Sequence, residues 1–206
     1  MSHNSSADAV TVALTGASGA PYGLRLLQML LRADKRVYLM MSEAAQIVLQ
    51  LETDISLPEG PSEQRQFLLD RFQAEEDQLV LLGLKEWTAP VASGLGAPDA
   101  MVICPCSTGT LSAIATGAST NLIQRAADVA IKEQKQLILV PRETPLSAIH
   151  LEHMLALSRL GVTILPASPG FYHQPKGIDD LIDFVVARIL NQLGIDQSLI
   201  APWGGS

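Results

Sequence analysis

Short apolar runs recur along the chain, and their composition is that of strands buried on both faces. Six runs are rich in valine, isoleucine and leucine and almost free of charge: VTVAL (10–14), VYLMM (37–41), LVLLGL (79–84), AMVIC (100–104), LILV (137–140) and VTILP (162–166). Continuous apolar runs, unlike strictly alternating ones, are typical of parallel strands covered by helices on each side. We therefore predict about six buried strands.

Amphipathic stretches separate most of these runs. Four of them have apolar residues at helical spacing: YGLRLLQMLLRAD (22–34), NLIQRAADVAIKEQ (121–134), SAIHLEHMLALSRLG (147–161) and IDDLIDFVVARILNQLG (178–194). Strands that alternate with helices imply right-handed crossovers and an open, doubly wound, mostly parallel sheet in a single α/β domain. Such a sheet binds ligands at the carboxyl ends of its strands. The polar, proline-rich region 57–78 is predicted to be an excursion with one helix.

The charge balance narrows the classes of partner. Lys and Arg total 14 and Asp and Glu total 21, which gives a formal net charge of −7 for 206 residues. A negative chain is not typical of proteins that bind the nucleic-acid backbone. Gly, Pro or a charge interrupts every apolar stretch before the roughly 18 residues that a membrane span needs. We expect neither a nucleic-acid partner nor a membrane segment.

The composition also bears on assembly and location. Hydrophobic residues make up 48% of the chain and charged residues 17%, so we expect apolar surface to be covered by further copies in a homo-oligomer. The only cysteines, Cys104 and Cys106, are predicted to point along one strand face, too cramped for an ordinary disulfide, which favours a reducing cytoplasm. Residues 1–8 are polar and are predicted to form a disordered tail before a domain at 9–206.

The first predicted strand ends in the glycine-rich segment TGASGAPYG. Gly16, Gly19 and Gly23 let the backbone approach a phosphate or a flat ring where a strand turns into a helix. The spacing differs from the G-x-G-x-x-G of dinucleotide folds, and it favours a mononucleotide or flavin site over a tight turn alone. Ser18 adds a hydroxyl for hydrogen bonding or helix capping, and Ser42, after the second strand, is another candidate cap.

Two further strand ends carry polar groups. The segment CPCSTGT follows the fourth strand, and its hydroxyls and backbone amides suit an anion or a polar ring edge; they belong to Ser107, Thr108, Gly109 and Thr110. The segment PRETP follows the fifth strand, where Arg142 and Glu143 stand between two prolines. An arginine beside a glutamate at this edge favours chemistry over a surface ion pair.

Residues further from the strand ends allow more than one interpretation. Arg125 and Lys132 share a helix face, which is either solvated or, in a cleft, a phosphate clamp that needs no metal. The loop ASPGFYHQPKG presents three aromatic rings in succession and suits a lid. His150 and His153 have no evident third ligand nearby, so no metal site is predicted.

Taken together, the segments resemble one family. In this order, TGASGAPYG, MSEAA, ETD (52–54), CPCSTGTLS, NLIQRAADVAIKE, LVPRETP and PGFYHQP closely resemble the UbiX-type flavin prenyltransferases, over nearly all of residues 9–203. The resemblance implies a flavodoxin-like Rossmann fold, FMN as cofactor and a dodecamer built from trimers. It implies metal-independent transfer of a dimethylallyl group from dimethylallyl phosphate to N5 and C6 of reduced FMN. The product, prenylated FMN, would serve a UbiD-type decarboxylase, as in ubiquinone biosynthesis.

The resemblance also implies roles for individual residues. FMN would be held at the strand ends by Gly16, Ala17, Ser18, Ser42, Ser107, Thr108, Gly109, Thr110 and Arg142. Dimethylallyl phosphate would contact Tyr172, Arg188, Lys132, Arg125 and Trp203, with Arg125 and Lys132 coming from a neighbouring part of the assembly. Glu143 would relay a proton, Ser18 would place its hydroxyl near flavin N5, and Lys132 would assist departure of the phosphate.

Two other functions stay open on the sequence alone. An FMN-dependent cysteine-peptide decarboxylase would share the fold and the glycine-rich start, but its PASANT and PAMN segments are replaced here by PCSTGT and PRETP. A non-catalytic flavin carrier would keep the FMN loops and would have no need of Glu143, Lys132 and Tyr172 together. The prenyltransferase interpretation therefore ranks first.

Overall fold

Six parallel strands form one sheet in the computed structural model of the chain, which describes residues 8–201. The strands are β1 (Ala9–Leu14), β2 (Arg36–Met41), β3 (Leu79–Leu82), β4 (Ala100–Cys106), β5 (Gln136–Pro141) and β6 (Thr163–Ile164). Their order across the sheet is β3-β2-β1-β4-β5-β6, and every neighbouring pair is parallel. All six predicted strands are confirmed, as is the doubly wound α/β fold of Rossmann type.

Seven α-helices connect the strands within the described part of the chain. They are α1 (Ala20–Arg32), α2 (Glu43–Glu52), α3 (Pro61–Phe72), α4 (Thr108–Ala115), α5 (Leu122–Lys132), α6 (Ala148–Arg159) and α7 (Ile178–Gln192), with a 3₁₀ turn at Pro90–Ala92. The helix expected in the polar excursion is α3. Helices α1, α3 and α7 contribute to the core on one face of the sheet, and α4, α5 and α6 contribute to the core on the other.

The direction of winding reverses between β1 and β4. The chain proceeds outward from β1 through β2 to β3, and then returns to place β4 on the other side of β1. In an open parallel sheet, this reversal leaves a crevice beyond the carboxyl ends of the two central strands, where ligands bind. The loops that follow β1 and β4 are therefore expected to border a ligand site.

The prediction that the two cysteines share one strand face is wrong. Cys104 lies in the core cluster with residues of α1 and α7, whereas Cys106 lies in the cluster with residues of α4 and α5. The register of β4 against β5 shifts between Ile103 and Cys106, so the usual alternation of side chains is interrupted there. Both thiols are free and fully buried.

Two predictions concern the ends of the chain. Residues 1–7 of the predicted tail lie outside the described residues, while Asp8 is described and forms an ion pair with Lys35 at 3.6 Å. Trp203 also lies outside the described residues. Within residues 8–201, none of the helices combines the length and the apolar character needed to cross a bilayer.

Candidate functional site

Thr15 joins the two loops that flank the crevice. Its hydroxyl donates a hydrogen bond to the carbonyl of Pro105 at 2.9 Å and accepts one from the backbone N–H of Ser107 at 2.8 Å. The backbone N–H of Thr15 also donates to the Pro105 carbonyl, at 3.1 Å. Thr15 is buried, so these bonds satisfy polar groups that would otherwise be desolvated without a partner. The loop after β1 and the loop after β4 are thus held side by side.

Glu52, at the end of α2, closes the first loop from the other side. One oxygen of its carboxylate, Oε2, accepts hydrogen bonds from the N–H groups of Gly19 at 2.8 Å and Ala20 at 2.9 Å. These are donors at the amino end of α1, where a negative charge is favourable. The amino end of α1 is therefore occupied by a side chain of the same protein, and those two donors are not free to bind a phosphate.

The pKa of Glu52 lies below its ordinary value. Partial burial acts to raise it, but the hydrogen bonds from the Ser18 hydroxyl and from the Gly19 and Ala20 N–H groups, with the charge of Arg142, outweigh burial and lower it. Arg142 also donates from Nε to the Ser18 carbonyl at 3.1 Å. A carboxylate, a hydroxyl and a guanidinium are thus connected through one loop.

The amino end of α4 is the part of the crevice best prepared for an anion. Ser107 caps the helix, since its hydroxyl accepts from the N–H of Thr110 at 3.3 Å and lies 3.0 Å from the Thr110 hydroxyl. Within residues 8–201, the N–H groups of Thr108 and Gly109 have no acceptor. A Cβ added to Gly109 would meet nothing within 4 Å. Open space beside free donors fits the phosphate of a mononucleotide.

Ser42 lies at the same edge of the sheet. Its backbone N–H donates to the carbonyl of Leu14 at 3.1 Å, and its hydroxyl caps α2 by accepting from Ala45 at 3.0 Å. A Cβ added to Gly16 would lie 2.5 Å from the Cβ of Ala44, so the first loop packs closely on the start of α2. This contact requires a glycine at position 16.

Arg142 and Glu143 follow β5 at this edge, as predicted. Both side chains are half-buried. Arg142 is tied to the loop after β1, while one carboxylate oxygen of Glu143 accepts from the N–H of Thr144 at 3.1 Å. The strand-end residues named from the sequence are therefore gathered along one edge of the sheet.

Tyr172 and Arg188 lie elsewhere in the chain. They line a cavity of about 630 Å³ between the loop after β6, α7 and the segment that follows α7. We call it the Arg188 cavity; its other lining residues are His173, Phe184, Asn191, Gln197, Ile200 and Ala201. None of the strand-end residues lines it. Within the part of the chain that the structure describes, the Arg188 guanidinium has no hydrogen bond or ion pair.

Arg125 and Lys132 are also separated from the strand-end residues. Arg125 donates from Nε to the Ala92 carbonyl at 3.2 Å and pairs with Asp128 at 2.8 Å. Lys132 pairs with Glu133. It ends α5 just before β5 begins, which places it at the amino edge of the sheet, opposite the crevice. Of the five predicted donor-binding residues, the four that lie among the described residues are therefore not gathered at the strand ends of one chain.

Two of the residues at the site have little signal in the sequence. Thr15 and Glu52 appear in the quoted segments TGASGAPYG and ETD, but no role was predicted for either. Their partners are 90 to 92 residues away for Thr15 and 32 to 33 residues away for Glu52. Local patterns do not encode such contacts, and only a polar residue next to a strand end could have drawn attention to Thr15.

No metal centre is apparent in the described residues. No three His, Cys, Asp or Glu side chains cluster within residues 8–201 in a way that could hold an ion. His150 has a structural role instead, because its Nδ1 accepts from the Ser147 N–H at 3.2 Å and completes the cap of α6.

The chain is similar to known flavoproteins in sequence and in fold. The Flavoprotein family model matches residues 1–190. A flavin prenyltransferase UbiX from Pseudomonas aeruginosa is 59% identical over 195 residues, which cover 95% of this chain and 93% of that protein. Among solved structures, AnUbiX (PadA1) in complex with FMN and dimethylallyl pyrophosphate has a TM-score of 0.85 and 39% identity, and the match covers 96% of this chain and 98% of that one.

A second solved structure describes an assembly. It is a dodecameric FMN-dependent UbiX-like decarboxylase from Escherichia coli O157:H7, with a TM-score of 0.84 and 39% identity over 96% of this chain and all of that one. The likeness to these proteins covers nearly the whole chain. The chain therefore belongs to the Flavoprotein family and, within it, to the UbiX flavin prenyltransferases.

Proposed function

We propose that the protein transfers a dimethylallyl group from a dimethylallyl phosphate ester to reduced FMN. The observation that carries the proposal is the crevice at the ends of β1, β4 and β5. There, free N–H donors of α4 lie on the same edge as Arg142 and Glu143. The chain is also 59% identical to a flavin prenyltransferase. We further propose that the product, prenylated FMN, serves a UbiD-type decarboxylase, including that of ubiquinone biosynthesis. We also propose that the enzyme acts in the cytoplasm.

The residues at the crevice fit FMN. The N–H groups of Thr108 and Gly109, with the hydroxyls of Ser107 and Thr110, would hold the phosphate at the amino end of α4. The loop from Gly16 to Ser18, with Ser42 and Arg142, would border the ring system. When bound and reduced, FMN supplies the electron-rich N5 and C6 atoms to which the prenyl carbons become attached.

The atoms and charges balance as follows. The allylic C–O bond breaks, and its electron pair leaves with the phosphate. The new bonds at N5 and C6 would each displace a proton, of which the middle carbon of the former alkene would take up one and the departing phosphate the other. Glu143, at the strand edge, would relay a proton. The Ser18 hydroxyl bonds the carboxylate of Glu52. Cationic side chains stabilise the departing phosphate without a metal.

Those cations require more than one copy of the chain. Tyr172 and Arg188 line a separate cavity, and Lys132 lies at the opposite edge of the sheet. We propose a homo-oligomer, most simply a dodecamer like the E. coli neighbour, in which adjacent copies bring these residues to the strand ends. Exposed apolar side chains on α6 support association, since Ile149, Leu151 and Leu155 are each more than half exposed.

A direct assay tests the proposed function. The protein is incubated under anaerobic conditions with reduced FMN and dimethylallyl phosphate, and the flavin is analysed by mass spectrometry. We expect its mass to rise by one C5 unit, with release of phosphate in equal amount. Bound FMN of unchanged mass would contradict the proposal and indicate a flavin carrier.

The decarboxylase alternative is tested in parallel. The segments PCSTGT and PRETP stand where that class has PASANT and PAMN, so we expect no release of carbon dioxide from a peptide with a carboxyl-terminal cysteine. Release of carbon dioxide without prenylation of FMN would favour the alternative.

A further inference from the structure

An ion pair outside the proposed reaction site joins α1 to α7. Arg25 of α1 donates to Asp183 of α7, from Nε to Oδ1 at 2.6 Å and from Nη2 to Oδ2 at 3.0 Å. Its third nitrogen, Nη1, donates to the side-chain oxygen of Gln28 at 2.6 Å. The side chains of the pair are only 27% and 22% exposed, so water screens them less than it screens a surface ion pair. Two parallel hydrogen bonds fix both the distance and the angle between the helices.

The two helices differ in how firmly apolar packing holds them. Helix α1 has buried residues along its whole length. In α7, the buried residues lie within 185–190, and none of residues 178–184 is buried. Because burial of apolar side chains is the main source of packing energy, the amino-terminal half of α7 is held less firmly than the rest of that helix. Asp183 lies in this half, so its pair with Arg25 fixes the part of α7 that the core holds least.

The same half of α7 holds the loop after β6, which carries Tyr172. At one end of the loop, the carboxylate of Asp180 accepts a hydrogen bond from the backbone N–H of Lys176 at 2.6 Å. At the other end, Gly170 lies against two rings: a Cβ added there would be 2.8 Å from Cζ of Phe184 and 3.2 Å from Cδ2 of Tyr172. The loop is therefore fixed to α7 at both ends, and the Tyr172 ring packs on the same glycine as Phe184.

The contacts to the loop and to α1 share one side of α7. Asp183 and Phe184 follow Asp180 by three and four residues, which places all three on neighbouring turns of the same side. Asp180 and Phe184 hold the loop, and Asp183 holds α1. A shift of this half of α7 therefore moves the loop with it, and the ion pair with Arg25 opposes such a shift.

We propose that Arg25 and Asp183 are positioning residues for the prenyl donor. Their pair fixes the amino-terminal half of α7 and, through it, the loop that presents Tyr172. The inference rests on the proposed function, in which Tyr172 contacts dimethylallyl phosphate while neither residue of the pair contacts the donor or FMN. Small displacements of a contacting group weaken its interaction. Loss of the pair should therefore weaken donor binding and leave the proposed FMN phosphate site at the amino end of α4 intact.

The kinetic test uses a second ion pair as its control. Arg71 pairs with Asp54 at 2.8 Å and lines the same cavity, of about 590 Å³, as Arg25 and Asp183, but it joins the end of α3 to the segment after α2. We measure kcat, KM for dimethylallyl phosphate and Kd for FMN in the wild type and in four variants: Arg25→Gln, Arg25→Lys, Asp183→Asn and Arg71→Gln.

The expected result is a change in donor binding alone. KM for dimethylallyl phosphate should rise about tenfold in Arg25→Gln and in Asp183→Asn, the size of effect for one weakened polar contact. Arg25→Lys keeps the charge without the paired geometry of a guanidinium, so its KM should lie between those of Arg25→Gln and the wild type. Kd for FMN should stay at the wild-type value throughout, and Arg71→Gln should match the wild type in every quantity.

Amide hydrogen exchange gives a measure that does not depend on catalysis. Residues 176–184 include an amide bonded to Asp180 and the first turns of α7. These amides should exchange about tenfold faster in Arg25→Gln and Asp183→Asn than in the wild type, because local opening of this segment becomes easier. The amides of α1 should change less, and Arg71→Gln should keep the wild-type rates.

The outcomes separate the inference from the function on which it rests. An unchanged donor KM in Arg25→Gln and Asp183→Asn overturns the inference and leaves the proposed function standing. A lower kcat with the donor KM at the wild-type value also overturns it, since this is the result expected when the pair only keeps the protein folded. If these two variants fail to fold, Arg25→Lys decides in their place, and wild-type KM and exchange rates in it overturn the inference. Absence of prenyl transfer by the wild type overturns the proposed function, and the inference with it.

Discussion

Glu52 holds the first strand-end loop in place from outside the loop. Its carboxylate holds two N–H groups at the start of α1 and the hydroxyl of Ser18, while Arg142 bonds the carbonyl of the same serine. The loop is thus held in place by charges from α2 and from the end of β5. The proposed position of the Ser18 hydroxyl near a flavin would depend on these contacts.

The depressed pKa of Glu52 predicts a pH dependence. A carboxyl group whose pKa is lower in the folded protein stabilises it at pH values above the ordinary pKa of 4.5, and this stabilisation is lost as the pH falls from there through the folded value. In urea unfolding, the wild type should therefore lose stability below pH 4.5 more steeply than Glu52→Gln. Glu59→Gln, which changes an exposed carboxylate, should follow the wild type. Parallel curves for the wild type and Glu52→Gln would contradict the prediction.

The close packing around Gly23 predicts that a larger side chain at this position of α1 would destabilise the fold. A Cβ at this position would lie 2.5 Å from the carbonyl oxygen of Cys104 and 2.9 Å from Cγ of Leu14. Gly23→Ala should lower the free energy of unfolding by ~1–3 kcal/mol, since the cost of overpacking exceeds the gain in helix propensity. Gly109→Ala is the matched control for stability, because its Cβ meets nothing within 4 Å. Equal midpoints of urea unfolding for Gly23→Ala and the wild type would show that α1 can move away from the sheet without loss of stability.

At the scale of elements, the sequence predicts the strand β4 but not the register shift within it. Its apolar run indicates a buried strand, and the structure confirms one at Ala100–Cys106. The register shift after Ile103 depends on pairing with β5, which is more than thirty residues later in the chain. The shift places Cys106 beneath α4, on the side where the phosphate is proposed to bind.

Burial of both thiols predicts that they are unreactive in the native protein. Burial raises the pKa of Cys106 to about 12, and burial followed by the proximity of Cys106 raises that of Cys104. The thiolate is the reactive form, so a disulfide reagent at pH 8 should label neither cysteine in the native state. Two thiols per chain should appear after denaturation in guanidinium chloride. Rapid native labelling would show that the sheet opens at β4.

Comparing the predicted elements and site residues with the observed ones shows how far the sequence predicts each. Strands, helices and strand-end residues such as Ser107 and Arg142 follow from local patterns, because each pattern lies within a short segment. The strand β6 is shorter than predicted, since only Thr163 and Ile164 pair with β5. The roles of Thr15 and Glu52 depend on contacts between distant segments, and no short window contains both partners.

At the scale of the whole molecule, the groups proposed to carry the reaction are spread over three places. Arg142 and Glu143 stand at the carboxyl edge of the sheet, Arg188 lines a cavity along α7, and Lys132 lies at the amino edge. Tyr172 is 73% exposed in the single chain. A cation that faces solvent is screened and weakly oriented. Under the proposed function, the separated groups would gain catalytic value when another copy brings them against a strand edge.

This distribution predicts complementation between inactive variants. Glu143→Gln and Arg188→Ala should each lower kcat/KM by at least about tenfold, in line with the loss of a positioned proton relay or of one donor to the phosphate. In mixed oligomers produced by co-expression with two affinity tags, some sites combine an intact strand edge from one chain with an intact Arg188 from another. Activity per site should then exceed the mean of the two parent variants.

The pair Glu143→Gln and Arg142→Ala is the matched control, since both residues belong to one strand edge and no mixed site regains both. If mixed oligomers of the first pair show only the mean activity of the two parents, the prediction is contradicted. Arg188 and Glu143 would then act in a site formed by one chain, and the geometry of that chain would have to change when the donor binds.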